Sequence, residues 1–181
     1  MDEVLTLYPQ NVTLGSPYDT GTQNALTPQF KRIASILGDL VFQAPRRFFL
    51  NNTLEKQNTW SFCTLQILPR LLARAIDPSH GDSRTVSKRL KSLPILGSAH
   101  GSDILNIYGP GDLTDYLIHF ATNLDPNGGS SVQWPQYTAS SRQLVTFLDN
   151  PVNNITITIT QDTYRTDGME LLTEISLAHP L

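Results

Sequence analysis

Six residues near the C-terminus constrain the fold class most. Ile155, Ile157 and Ile159 alternate strictly with Thr156, Thr158 and Thr160. That period of two puts the isoleucines on one face of a β-strand and the threonines on the other. Residues 144–148 form a second strand candidate close by. Both sit among segments of helical period. Residues 111–123 carry Leu113, Tyr116, Leu117 and Phe120 on one face, and a last helix over about 164–175 places Met169, Leu172 and Ile175 on its buried side. Strands interleaved with helices along one chain point to an α/β class.

The first half reads less evenly. Residues 1–26 are a short helical start followed by a polar loop rich in turn formers, from Pro9 to Asn24. Thr27-Pro28 reads as a helix start, with Thr27 capping free amides and Pro28 at the first helical position. Phe30, Ile33, Ile36 and Leu37 follow at helical spacing, and Leu40, Val41, Ala44 and Phe48 continue the apolar face. Gly38-Asp39 and Pro45 bend this segment, so two helices are expected near 28–37 and 40–50. Residues 59–62 and 90–96 are further strand candidates. Residues 63–86 fit no pattern. Asp125-Pro126-Asn127-Gly128-Gly129 is a turn.

With 181 residues the chain is one ordinary domain or a piece of a larger one. Its net charge of −3 and pI near 5.7 leave no basic surplus to neutralise phosphates, so nucleic-acid binding is not expected. A single cysteine, Cys63, makes neither an internal disulfide nor a multi-cysteine zinc site, and no metal or cofactor is expected. No apolar run approaches the ~18 residues of a transmembrane helix. Met1-Asp2-Glu3-Val4-Leu5 lacks the basic and apolar regions of a secretion signal, which leaves localisation open. Glycosylation sequons stand at Asn11, Asn51 and Asn154, against about two expected by chance, and do not establish secretion.

Four histidines are the main candidates for chemistry. His179 lies beside the C-terminus, His80 in a plain turn, and His119 inside the 111–123 helix, where an unpaired His reads as a surface or core residue. His100 stands apart. In Leu93-Pro94-Ile95-Leu96-Gly97-Ser98-Ala99-His100-Gly101-Ser102-Asp103 an apolar strand runs into small residues, and the His follows on the loop. Loops held by a rigid sheet often carry catalytic groups, and small neighbours leave room for a substrate.

The stretches Ser87-Lys88-Arg89-Leu90 and Gly97-Ser98-Ala99-His100-Gly101-Ser102-Asp103-Ile104 resemble the histidine segment of the type-B carboxylesterases and lipases, in particular their fungal branch. Gly15-Ser16-Pro17-Tyr18-Asp19-Thr20-Gly21, Asn24-Ala25-Leu26-Thr27-Pro28-Gln29-Phe30-Lys31-Arg32-Ile33, Leu37-Gly38-Asp39, Asn123-Leu124-Asp125-Pro126-Asn127-Gly128-Gly129 and Trp134-Pro135-Gln136-Tyr137-Thr138 are similar to further segments of that family, in its order. The resemblance covers about 4–62 and 87–168. It implies the α/β-hydrolase fold, here as its C-terminal part: an incomplete, mostly parallel sheet with flanking helices. It implies an ester or lipid substrate cleaved by a serine, an acid and a histidine, with His100 as the triad histidine. Asp103 matches an acidic position of the family, although capping a turn is the simpler reading. Trp134-Pro135-Gln136-Tyr137 reads as structural packing.

The chain departs from the family in two ways. The nucleophile elbow G-x-S-x-G occurs nowhere in the sequence. In the family the elbow, the triad acid and the glycine-rich oxyanion segment lie upstream of the first motif matched here. The chain, 1–181, is therefore expected to be a partial carboxylesterase domain holding one triad member of three and not catalytically competent alone. Its open strand edges and uncovered apolar faces would leave it marginally stable or dependent on an upstream, serine-bearing portion. Residues 63–86 are the second departure, an unmatched insertion or an artefact of gene prediction. Two alternatives remain at this point: a non-catalytic binding remnant, and one half of a split esterase. Full-length relatives are expected to be extracellular.

Overall fold

The computed structural model describes residues 2–14, 22, 25–66, 104–108, 111–129, 132–149 and 157–180. Within them the order is α1 (Asp2–Leu7), a 3-10 turn (Val12–Leu14), α2 (Phe30–Gly38), a π-helical segment (Asp39–Gln43), α3 (Ala44–Thr53), β1 (Phe62–Gln66), α4 (Ile104–Ile107), α5 (Asp112–Asn123), β2 (Gln143–Asp149), β3 (Ile157–Gln161) and α6 (Thr166–Ala178). The strands form one small mixed sheet in the order β1-β2-β3. β1 and β2 run parallel, with Phe62 opposite Val145 and Thr64 opposite Phe147. An α/β class is compatible with this sheet and its helices.

The chain divides into two compact units. The first holds Met1–Thr59, Gln136–Gln143 and Gln161–Leu181, and the second Trp60–Pro135 and Leu144–Thr160. In the first, α6 packs on α1, α3 and the π-helical segment. Its apolar cluster is small: Val4, Tyr8 and Leu172 are buried, with Leu7, Ile36, Leu40 and Leu171 against them. In the second, Leu113 and Tyr116 of α5 bury against Trp134, Val145 and Phe147, and Trp60, Phe62, Ile107, Ile157 and Ile159 complete the cluster. Area removed from water by such a cluster is its main stabilising term.

Several sequence expectations hold and several do not. The helix over 111–123 begins one residue later, and the strands at 144–148 and 155–160 appear as β2 and β3, with 155 and 156 outside the described residues. The last helix starts at Thr166 and buries Met169 and Leu172, but Ile175 is exposed. The strand expected at 59–62 lies further on, sharing only Phe62 with β1. Residues 59–61 lead into it, with Thr59 and Ser61 carbonyls accepting from Tyr137 N at 2.7 Å and Val145 N at 3.2 Å. Residues 63–66 of the unmatched segment are therefore strand, and 67–86 lie outside the described residues, as does the 90–96 strand candidate.

Thr27-Pro28 does not open α2. The helix begins at Phe30 after Gln29, without a side-chain cap, and Thr27 only closes a turn by accepting from Phe30 N at 3.1 Å. The break expected at Gly38-Asp39 is a π-helical segment that keeps the backbone helical through to α3. π-Helical segments inside α-helices often mark special sites. Here one carries Asp39 into the interior. Of the apolar face expected from Phe30 to Phe48, Ile36, Leu40 and Ala44 pack inward, whereas Ile33, Leu37, Val41 and Phe48 are solvent-exposed, and Lys31, Ser35 and Asp39 are buried.

Candidate functional site

His100 and the adjacent Asp103 lie outside the described residues, as does His80. What the described residues show is the framework that follows this segment in sequence, together with two buried charge networks in the other unit.

In the second unit α4 and α5 follow the His100 segment directly and pack on each other. Thr114 donates to the Ile107 carbonyl at 3.0 Å, tying the start of α5 to the end of α4. The aromatic core beneath is built from edge-to-face contacts, Tyr116 with Trp134 at 5.1 Å between centroids and Phe62 with Trp134 and Phe147 at 6.0 Å. Buried polar atoms in this core are satisfied: Trp134 Nε1 donates to the Ser61 carbonyl at 3.1 Å, and the Tyr116 hydroxyl donates to the Val132 carbonyl.

The turn after α5 is fixed by its own side chains. Asp125 Oδ1 accepts from Asn127 N at 2.9 Å, and Asn127 brackets Trp134, accepting from its N at 2.7 Å and donating to its carbonyl at 3.1 Å. Gly128 and Gly129 then pass under the His119 ring so closely that an added Cβ would lie 2.9 and 2.5 Å from its Nδ1 and Nε2. His119 is thus a packing residue seated on a glycine pair. Trp134 and Tyr137 are both buried. Trp134-Pro135-Gln136-Tyr137 carries no reactive group, and Ile107 packs on the core.

The first unit contains the charged groups that sequence reasoning missed. Asp39 is buried on the π-helical segment, where Oδ2 accepts from the Tyr8 hydroxyl at 2.8 Å and Oδ1 from Arg165 Nη2 at 2.7 Å. Arg165 also lies over the Tyr8 and Tyr164 rings. Burial first, then the hydrogen bond and charge of Asp39, push the Tyr8 hydroxyl well above its ordinary range.

Asp162 is the second centre. Its Oδ1 accepts from Arg46 Nη2 at 2.9 Å and from Arg47 Nε and Nη2 at 2.9 and 2.7 Å, and its Oδ2 from the Tyr137 hydroxyl at 2.9 Å. Burial alone would raise the Asp162 carboxyl, but the hydrogen bonds and charges of Arg46 and Arg47 outweigh it and hold it at about 2. Burial, with the Asp162 charge, pushes Tyr137 up to about 12. In both networks the carboxylate oxygens are occupied by guanidinium and phenol donors from the same unit, which makes them structural clamps. The signal in the sequence was faint: an Asp inside an apolar helix, and an Arg pair on the next one. Among the described residues no group of three or more His, Cys, Asp or Glu could hold a metal, and no helix is long and apolar enough to cross a membrane.

No protein-family model matches the chain. Curated relatives do. The chain is 36% identical over 178 residues to Lipase 4 of Diutina rugosa, covering 95% of this chain and 28% of that protein. It is 36% identical over 176 residues to Lipase 2 of Geotrichum candidum, covering 93% and 26%. Secreted lipase 1 of Botryotinia fuckeliana is 34% identical over 154 residues, covering 78% and 23%. The chain thus spans about a quarter of the length of the relatives it matches.

Proposed function

This chain is homologous to part of the fungal lipases of the type-B carboxylesterase family, and on that premise we propose that it supplies the C-terminal portion of a carboxylic-ester hydrolase, with His100 as its proton shuttle. One conjunction carries the reading. The similarity to Lipase 4 runs along 95% of the chain, and the sequence keeps His100 between small residues while containing no G-x-S-x-G. The serine and the acid then belong to the part of a relative's length that has no counterpart here.

In this role His100 takes the serine hydroxyl proton as that oxygen attacks the ester carbonyl carbon. It returns the proton to the departing alcohol, and repeats the exchange with water to release the acid. Such general acid–base action contributes about 10²–10⁴ in rate, and loss of the nucleophile costs about 10⁶ in turnover. The chain alone is therefore inactive. Its substrate class is a carboxylic ester, lipid esters included, matching the names of its relatives. Two relatives are named as secreted lipases, those of Botryotinia fuckeliana and Gibberella zeae, which supports an extracellular place of action for the assembled enzyme. A purely binding remnant, the competing reading, gives no reason to keep an imidazole among glycine, serine and alanine.

The test is an assay on a chromogenic short-chain ester. The isolated chain stays at background, and co-expression with the unmatched upstream portion of Lipase 4 from Diutina rugosa restores turnover that His100→Ala abolishes. Turnover by the isolated chain that vanishes in His100→Ala would refute the proposal, as would a co-expressed pair that associates but stays silent. Sequencing the transcript across 63–86 decides whether that segment belongs to the protein.

A further inference from the structure

The helix pair α2–α3 carries apolar residues on two sides: Ile36, Leu40, Ala44 and Leu50 pack inward, and a second apolar stripe faces out. Ser35 and Leu37, two residues apart, point roughly 160° away from each other at about 100° per residue. On one side Lys31, Ser35 and Asp39 are 4%, 2% and 1% exposed, and on the other Ile33, Leu37 and Val41 are 52%, 53% and 55% exposed. The outward stripe continues on α3, where Phe48 and Phe49 are exposed although Ala44, Arg47 and Leu50 of the same helix are buried. A surface helix ordinarily turns its apolar stripe to the core and its charges to water.

The polar side has good reason to be buried. Lys31 Nζ donates to the Val12 carbonyl at 3.0 Å, Ser35 Oγ to the Lys31 carbonyl at 2.9 Å, and Asp39 and Arg47 sit in the clamps described above. The Ser35 bond lies within α2, but those of Lys31, Asp39 and Arg47 reach other elements and hold the helices in this orientation, so the exposed apolar side cannot turn inward without unpairing buried charges. An apolar stripe locked outward in this way needs a second body.

We propose that this stripe, Ile33, Leu37, Val41, Phe48 and Phe49, is the surface on which the upstream, serine-bearing portion of the hydrolase docks, an inference that rests on the functional reading above. Two observations favour that occupant. The stripe carries no charge, so it fits an apolar polypeptide surface and offers nothing to a polar or ionic ligand. The chain spans 28% of Lipase 4, so most of that relative's length has no counterpart here and is large enough to cover the stripe.

The experiment co-expresses the full chain with the tagged upstream portion of Lipase 4 and applies hydroxyl-radical footprinting to the chain alone and in the complex. Oxidation of Leu37, Phe48 and Phe49 should fall at least fivefold in the complex relative to Leu177, an exposed reference on α6. The variant Ile33→Asn/Leu37→Gln/Val41→Gln should lower complex recovery at least tenfold. Equal oxidation of the stripe in an assembled, active complex overturns the docking surface and leaves the functional reading standing. Failure of the unmodified chain to associate or to gain activity overturns the functional reading and this inference with it. Stripe protection that rises with the concentration of the chain alone and ignores the upstream portion overturns the occupant in favour of a second copy. Footprinting uses the unmodified chain, so the surface is tested even if the triple variant misfolds.

Discussion

Asparagine at position 162 removes one negative charge and almost no volume, which isolates the electrostatic part of the Asp162 clamp. The carboxylate faces two guanidinium groups and one phenol, and it is 5% exposed. Tyr137 can reverse its hydrogen bond toward an amide, so the loss falls on the arginines. The Arg46 side chain is 23% exposed and can rehydrate, whereas that of Arg47 is 10% exposed and keeps its hydrogen bond to the Tyr164 carbonyl at 2.8 Å but loses the charge that faces it. Breaking a buried pair by removing one partner costs about 3–5 kcal/mol, and the access of water to Arg46 places this case at the lower end, about 3 kcal/mol.

Titration supplies a second route to the same magnitude. A carboxyl held at about 2 in the fold, against an ordinary 3.8, contributes roughly 2–3 kcal/mol at about 1.36 kcal/mol per pH unit. Because the folded value is depressed, that contribution is complete above the ordinary carboxylate range, and it is lost as the pH falls through 3.8 toward about 2. Urea unfolding followed by far-ultraviolet circular dichroism, from pH 7 to pH 2, measures both. Asp162→Asn should be about 3 kcal/mol less stable at pH 7, and the gap should close as the pH approaches 2. A gap below about 1 kcal/mol at neutral pH, or one that does not change with pH, would show that the network does not stabilise the fold as described.

Two further substitutions probe backbone and packing. Gly168→Ala places a Cβ 2.8 Å from the Tyr8 hydroxyl oxygen and 2.9 Å from its ring, a side chain already pinned by Asp39, and should cost about 1–3 kcal/mol, read as a lower thermal midpoint. An unchanged midpoint would mean that Tyr8 is free to move aside. Leu124 closes α5 in the left-handed region, φ 58°, with its side chain 73% exposed. There Leu124→Gly should stabilise by about 0.5–1 kcal/mol, since the αL strain of about 1–2 kcal/mol exceeds the added chain entropy of glycine. A lower urea midpoint for this variant would refute that balance.

The elements with strong periodicity were legible in the sequence: the helix at α5, the paired strands β2 and β3, and the final helix. Their patterns repeat within a few residues and need no knowledge of what packs on them. The family was legible as well, because its motifs lie in order along the chain. The orientation of α2 was not. Counting apolar residues along 30–48 assigns them all to one core face; Ile36, Leu40 and Ala44 do pack inward, but Ile33, Leu37, Val41 and Phe48 face out while Lys31, Ser35 and Asp39 are buried. Thr27-Pro28 carried a plausible start signal, and the helix began at Phe30 instead. The candidate site was legible only as a motif, since His100 lies outside the described residues, and the clamps around Asp39 and Asp162 left almost no local trace.

By itself, then, the sequence determined where the strongly periodic segments α5, β2, β3 and α6 lie and to which family the chain is related, since side-chain period and motif order are carried by neighbouring residues. Only the tertiary structure decided which side of α2–α3 faces inward. A buried carboxylate is stable only when its charge is met, and the groups that meet it come from 31 positions away at Tyr8 and 126 positions away at Arg165.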